Sequence, residues 1–225
     1  MRKLTAALAC RNNGSRLYGK PLQNLDANVT ILSQIISCIK TVDCIDSIVL
    51  GISEGIENKI FADVAKAENV KYIYGDEINV LHRLILCAEK ENASDIFRIT
   101  SESPFPSFDM INGGWEKHLN GNYDATFLDE VIDGCGFEFI KLEALKKSHA
   151  QGEDRHRSEM CTLYIRENKK SFNITYIEPP LELVRKDLRL TVDNPEDLII
   201  CANIYKNFKN LAPLIPLKNI VKYLD

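Results

Sequence analysis

The sequence predicts an α/β fold, a mainly parallel sheet with helices on both faces. Three observations carry this. Short apolar runs alternate with stretches of helical period from the N-terminus to about residue 100. Several of the runs are continuously apolar, as in strands buried on both faces. With 225 residues, 45% of them hydrophobic, the chain is long enough for one substantial core. Strand–helix–strand repetition of this kind implies right-handed crossovers.

Taken in order, "LTAALAC" from Leu4 reads as the first strand. "TILSQIISCIKTV" sets Ile31, Leu32, Ile35, Ile36, Ile39 and Val42 at helical spacing. "DSIVLGIS" is a doubly buried strand, "IENKIFADVAKAE" a helix and "NVKYIYG" a strand. "EINVLHRLILCAEKEN" is a strongly amphipathic helix and "SDIFRIT" the fourth strand. The second half is less regular. "FDMINGGWEKHLN" is expected as a helix weakened by Gly113-Gly114, and "YDATFLDE" as a strand. "GCGFEFIKLEAL" is expected as a strand running into a helix, and "SFNITYIEP" and "LRLTV" as strands. "NPEDLIICANIYKNF" is a helix with Asn194 as cap and Pro195 in the first turn, and "PLKNIVKYLD" is a short final helix. No repeat or linker divides the chain. The expectation is one domain, 1–225, with a small irregular lobe inserted at roughly 104–180.

Composition excludes several classes. Net charge is −4, from 28 basic and 32 acidic side chains, so no basic face for nucleic acid is expected. No apolar stretch approaches the ~18 residues of a membrane span. The cations of "MRKLTAALAC" precede too short an apolar run for a signal peptide. Seven cysteines, without a CxxC pair or metal-type spacing, suit reduced core thiols and a cytoplasmic location.

Ligands in an open parallel sheet bind beyond the carboxyl ends of the strands. Three segments fall there. "CRNNGSRLYGKPL", Cys10 to Leu22, follows the first strand, with Gly14 and Gly19 able to bring backbone amides against an anion and Arg11, Arg16 and Lys20 adding charge. It is neither GxGxxG nor GxxxxGK[ST], and composition alone leaves it between a phosphate loop and an ordinary basic turn. "RITSESP" ends the fourth strand and places Glu102 at the same mouth; "RLTVDNPED" places Asp193 at a strand-to-helix turn. Each carboxylate by itself reads as well as a cap. Together, opposite a basic loop, they suit Mg²⁺ bridging phosphate oxygens.

These residues resemble the signatures of the sugar cytidylyltransferases, which include the CMP-Kdo and CMP-acylneuraminate synthetases and, nearest in pattern, the spore-coat polysaccharide group. "RNNGSRLYGKPL" is similar to R-x-x-S-x-R-L-P-G-K-x-L, and "GDEINVLHR" to G-x-x-x-D-V-L-x-R. "RITSESP" is similar to R-I-T-G-D-C-P, "DGCGFE" to D-G-x-x-x-E, "RSEMCTLY" to R-E-H-V-T-x-Y and "RLTVDNPED" to R-L-T-V-D-T-P-E-D. The matches run in order from residue 4 to about 205. The resemblance implies a three-layer Rossmann-like fold of the nucleotide-diphospho-sugar transferase, GT-A-like kind. It also implies Mg²⁺-dependent transfer of a nucleotidyl group, CTP favoured, to a sugar, sugar phosphate or related acidic acceptor, with pyrophosphate released. A guanylyltransferase acting on a sugar 1-phosphate, or a non-catalytic nucleotide-sugar-binding homologue, are the alternatives.

Carried over by position, the resemblance implies that Arg11, Ser15, Arg16 and Lys20 hold the triphosphate, with Arg16 and Lys20 catalytic and Asn12, Asn13 and Gly14 of the same loop nucleotide-binding. Gly75, Val80, Leu81, Arg83 and Thr100 would lie near the nucleotide, and Glu102 and Asp193 would bind the metal. From the residues themselves, the charged run with Arg155, His156 and Arg157 reads as an acceptor site or a solvated helix face, and Glu138 as an acceptor contact or a structural carboxylate. A homodimer through the irregular lobe is a further expectation. Four positions depart from the pattern: Glu102 replaces an aspartate, Ser101 a glycine, Tyr18 a proline and Met160 a histidine.

Overall fold

A computed structural model describes residues 2–14 and 16–225. In its first half, β1 (Leu4–Cys10) is followed by β2 (Asn24–Asp26), β3 (Val29–Thr30), α1 (Ile31–Ile39), β4 (Ser47–Ser53), α2 (Ile60–Ala67), β5 (Lys71–Gly75), α3 (Val80–Lys90) and β6 (Asp95–Arg98). Then come α4 (Ile111–Asn120), β7 (Ala125–Leu128), β8 (Phe137–Lys141), α5 (Leu142–Gln151), α6 (Leu163–Glu167), β9 (Ile174–Tyr176), α7 (Pro195–Asn207) and α8 (Leu217–Leu224). The main sheet has seven strands in the order β5-β4-β1-β6-β8-β7-β9. All run in one direction except β8, which is antiparallel to β6 and β7. The sheet is thus mainly parallel, as expected.

The strand order reverses beside β1. The chain moves outward from β1 to β4 and β5, then returns to the other side of β1 with β6. The loops leaving β1 and β6 therefore part at the sheet's carboxyl edge and open a crevice, the usual place for a ligand in such sheets.

Two cores lie on the two faces. Leu4, Ala6, Leu8 and Cys10 of β1 and Ile48, Leu50 and Ile52 of β4 point to the face covered by α1, α2, α4, α7 and α8. Ala7 and Val49 point the other way, against α3, α5 and α6. The period-two alternation of a strand thus feeds both cores. All seven cysteines are free; six are buried and Cys44 is half-buried.

Local signals set the helix starts. The Thr30 side chain accepts from Ser33 N (3.1 Å) at the head of α1, and Asn79 Oδ1 accepts from His82 N (3.0 Å) at α3. At α7, Asp197 Oδ2 accepts from Asn194 N (2.8 Å) and Asp193 N (2.9 Å), with Pro195 in the first turn. That cap also fixes the backbone of Asp193.

Three features differ from the sequence expectations. "LRLTV" is not a strand: it has one bridge, Arg189 to Asp133. Its amides serve two loops, Leu190 N donating to Asp133 O (2.8 Å) and Val192 N to Glu102 O (3.0 Å), so no continuous ladder forms. The antiparallel pair β2–β3 and the short helix α6 were not foreseen. Gly114, read as a weak point of α4, is a contact: a Cβ there would lie 2.6 Å from Ile177 Cδ1 and 3.0 Å from Phe139 Cε2. Its absence lets α4 pack close to the sheet. The segment 104–180 supplies β7, β8 and β9 to the same sheet.

Candidate functional site

A cavity of about 340 Å³ opens at the reversal point, lined by the loop after β1, the loop after β6 and Asp193 at the head of α7. Arg11, Asn12, Asn13, Gly14, Arg16, Lys20, Val80, Arg83, Thr100, Glu102 and Asp193 all line it. Segments 173 residues apart in sequence, from Lys20 to Asp193, are thereby joined. Ser15 lies outside the described residues.

The basic loop is held in shape by its own backbone. Gly19 sits at φ +59°, a left-handed conformation that favours glycine, and its N–H donates to Asn12 O (2.8 Å). Asn12 N donates to Asn58 Oδ1 (2.8 Å), anchoring the loop to the segment after β4. Asn12 Oδ1 is buried at the cavity wall and accepts no hydrogen bond among the described residues. Asn13 Nδ2 donates to Glu77 Oε1 (3.0 Å), and Arg11 pairs with Glu159.

The two carboxylates differ in character. Asp193 Oδ1 lies 2.5 Å from Lys20 Nζ and 3.1 Å from Arg16 Nη2, and its other oxygen meets Arg189. Burial alone would raise its pKa, but the Lys20 bond and the Lys20, Arg16 and Arg189 charges hold it below the usual aspartate value. Glu102 has no ion pair or side-chain hydrogen bond among the described residues. Burial raises its pKa first, Asp193 and Glu159 raise it further, and Lys20 and Arg11 oppose them. A half-buried carboxylate beside a second carboxylate, with no side-chain partner among the described residues, fits a hard divalent cation. Among the described residues no group of three or more His, Cys, Asp or Glu could hold a metal. Mg²⁺ here would therefore take Glu102 and Asp193 from the protein and the rest of its shell from substrate and water.

The residues expected near the nucleotide separate into two sets. Val80 and Thr100 line the cavity. Leu81 is fully buried in the core and Gly75 does not line the cavity. Arg83 touches the cavity wall, but it is 1% exposed and its Nη1 donates to Cys10 O (3.1 Å) and Gly51 O (2.9 Å). Its route is cleared by Gly75, where a Cβ would fall 2.8 Å from Arg83 Cγ. Gly75 thus makes room for Arg83, which ties the ends of β1 and β4 together under the site.

The residues expected at the acceptor separate as well. Arg155, His156 and Arg157 line neither this cavity nor its neighbour. Arg155 grips Glu167 through two bonds (2.7 and 2.8 Å), and His156 bonds Glu167 (2.9 Å) and accepts from Glu153 N (2.8 Å). Arg157 pairs with Asp154 (2.8 Å) and bonds the carbonyls of His149 and Gly152 (3.3 and 3.2 Å). Their polar groups are used locally, to fold the loop between α5 and α6. Glu138 does line a second cavity of about 260 Å³, which shares Arg98, Ile99 and Thr100 with the first. Its oxygens, however, accept from Arg98, Thr162 and Arg166, each at 2.8 Å. Burial would raise its pKa; the two arginines bring it below the usual glutamate value.

Sequence reasoning gave no role to Arg98, Glu159, Asp129, Asp133 or Arg189. Arg98 was visible as the first residue of "RITSESP", and Arg189 as the first of "RLTVDNPED". Asp133 was visible as the first residue of "DGCGFE", whereas Asp129 carried no signal beyond lying near a turn.

The fold and the crevice define an α/β protein with the nucleotidyltransferase fold. The chain overlays a cytidylyltransferase from Leptospira borgpetersenii with a TM-score of 0.89 at 20% identity, covering 100% of this chain and 94% of that one. It overlays a CMP:2-keto-3-deoxy-manno-octonic acid synthetase, solved with CTP, with a TM-score of 0.69 at 12% identity, covering 92% and 99%. Within that class its sequence resembles the sugar cytidylyltransferases of the spore-coat group. It is 25% identical over 203 residues to the spore coat polysaccharide biosynthesis protein SpsF of Bacillus subtilis, covering 88% of this chain and 84% of that protein. An uncharacterized protein of Methanocaldococcus jannaschii is 26% identical over 223 residues, 99% of this chain and 90% of that one. No family model matches the chain.

Proposed function

We propose that the protein is a nucleotidyltransferase that joins the NMP of a nucleoside triphosphate, CTP favoured, to a sugar or sugar phosphate and releases pyrophosphate. One observation carries this: a glycine-shaped cationic loop and two carboxylates, Glu102 in the loop after β6 and Asp193 at the head of α7, face a single cavity at the topological reversal, Glu102 without a side-chain partner among the described residues. The neighbours described as a cytidylyltransferase and as a synthetase complexed with CTP support the choice of nucleotide.

An acceptor oxygen would attack the α-phosphorus in line, forming a new P–O bond while the bond to the β-phosphate oxygen breaks. Lys20 and Arg16 would neutralise charge on the α-phosphate and on the departing pyrophosphate. Arg11, now paired with Glu159, would exchange that carboxylate for a phosphate. Mg²⁺ held by Glu102 and Asp193 would supply charge neutralisation across phosphate oxygens. A phosphate nucleophile is already ionised and requires no general base.

The test is pyrophosphate release with CTP, GTP, UTP and ATP over a panel of sugar phosphates and sugars, with Mg²⁺ present. Turnover with one nucleotide preferred is expected, and Lys20→Ala should lower kcat by at least ~10²-fold. Folded protein that turns over no pair overturns the enzyme reading. An unchanged Lys20→Ala rate removes Lys20 from the chemistry.

A further inference from the structure

The second cavity adjoins the proposed nucleotide cavity, sharing Arg98, Ile99 and Thr100 as lining, so an acceptor seated in it would lie beside the reacting phosphate. Among the described residues its walls carry Asp129, Asp133 and Glu138 and one cation, Arg98. That cation is already committed: Nη1 donates to Glu138 (2.8 Å) and Nη2 to Glu159 O (3.0 Å). Asp129 holds Arg166 through two bonds (2.6 and 2.9 Å), and Glu138 has three donors. Asp133 is the exception. Its carboxylate makes no hydrogen bond among the described residues and meets only Arg189, at 3.6 Å, with two-thirds of its side chain exposed.

The wall beneath Asp133 is pre-formed. Asp133 O accepts from Leu190 N (2.8 Å), and Cys135 O accepts from both Ser107 N (3.1 Å) and Ser107 Oγ (2.9 Å). The side chain is thus presented from a fixed backbone and is free to take a donor. A carboxylate entering here would find no uncommitted cation among the described lining residues and would be repelled by Asp133, whose one ion contact among them is Arg189 at 3.6 Å.

We infer that the part of the acceptor seated in this second cavity presents hydrogen-bond donors, hydroxyl or ammonium, and no carboxylate, with Asp133 as the residue that selects for them. This rests on the nucleotidyl-transfer reading and narrows its acceptor to a neutral or amino sugar, away from the acidic sugars.

The test uses three probes that share one reacting group: glucose 1-phosphate, glucosamine 1-phosphate and glucuronate 1-phosphate. Each is titrated calorimetrically and assayed for pyrophosphate release with the preferred nucleotide, on the full chain. The expected result is binding and kcat/KM at least about tenfold better for the neutral and amino probes than for the uronate. Asp133→Asn should shrink the amino-to-uronate ratio by about tenfold, and Asp133→Lys should invert it, with the nucleotide-induced melting shift unchanged. A purely structural role for Asp133 would move all three probes alike. Equal or better use of the uronate, a ratio insensitive to both Asp133 variants, or no binding of any probe while the nucleotide still stabilises the protein overturns the inference and leaves nucleotide binding standing. Loss of the nucleotide shift as well brings down the nucleotidyl-transfer reading itself.

Discussion

Glu102 and Asp193 were legible in the sequence as a pair of strand-end carboxylates, but their difference was not. Asp193 is wrapped by Lys20, Arg16 and Arg189, whereas Glu102 is half-buried without a side-chain partner among the described residues. That difference depends on which side chains arrive from distant segments, and a single sequence does not display it. It has a measurable consequence. A carboxyl whose pKa is raised by folding favours the folded state fully below its unfolded pKa, and that contribution is lost as pH rises through the folded value. Ionised Glu102 therefore opposes folding at neutral pH. Glu102→Gln should raise Tm at pH 7 relative to the parent, the gap closing as pH falls below the ordinary glutamate range, while Mg²⁺-dependent turnover drops. A thermal scan from pH 4 to 8 alongside the pyrophosphate assay checks both. A lower Tm at pH 7 would mean that Glu102 has a stabilising partner.

At the scale of elements, the first half was legible because each strand there is continuously apolar and each helix carries a clear period: β1, α1, β4, α2, β5, α3 and β6 all lie where the pattern puts them. The second half was harder because its signals are short or shared. "LRLTV" has the composition of a strand, yet its amides bond two loops. The charged run Arg155 to Arg157 looked like an anion site and is a local clamp, since opposite charges within fourteen residues satisfy it. Arg83 teaches the reverse lesson. A family pattern placed it near the nucleotide, while the room left by Gly75 and its bonds to the carbonyls of Cys10 and Gly51 show that it is threaded beneath the cavity as a tie between β1 and β4. Arg83→Met should leave the carbonyls of Cys10 and Gly51 short of a donor and destabilise the protein by about 1–3 kcal/mol. Urea denaturation measures this. A variant as stable as the parent would show that these bonds are replaceable.

For the whole molecule, the site exists only because the strand order reverses beside β1, which brings the loops of β1 and β6 and the head of α7 to one edge. The order of motifs along the chain announced the loops; their meeting is a property of topology. A ligand gripped by three such segments should stabilise the entire fold. A nucleotide at about 100 times its Kd contributes roughly 2.7 kcal/mol, equivalent to about 5–10 °C in Tm for a chain of this size. A scan over the four nucleoside triphosphates with Mg²⁺ should show that shift for one of them, and no shift with any would contradict the proposed function.

No helix among the described residues is long and apolar enough to cross a membrane, and the buried apolar side chains form the two cores. The cysteines are distributed through both of those cores. Burial pushes the Cys10, Cys38 and Cys201 thiols up to about 12, and Cys44 and Cys161 up to about 11. Alkylating reagents attack the thiolate, so the native protein should be almost silent to them, with Cys44 modified first. Cys10 closes the strand that feeds the cationic loop, so its modification rate reads the opening of the site's own floor. Timed labelling followed by peptide mass measurement, with and without nucleotide, should show Cys10 slowed by ligand and Cys44 unaffected. The chain thereby carries a built-in gauge of which part of it loosens first.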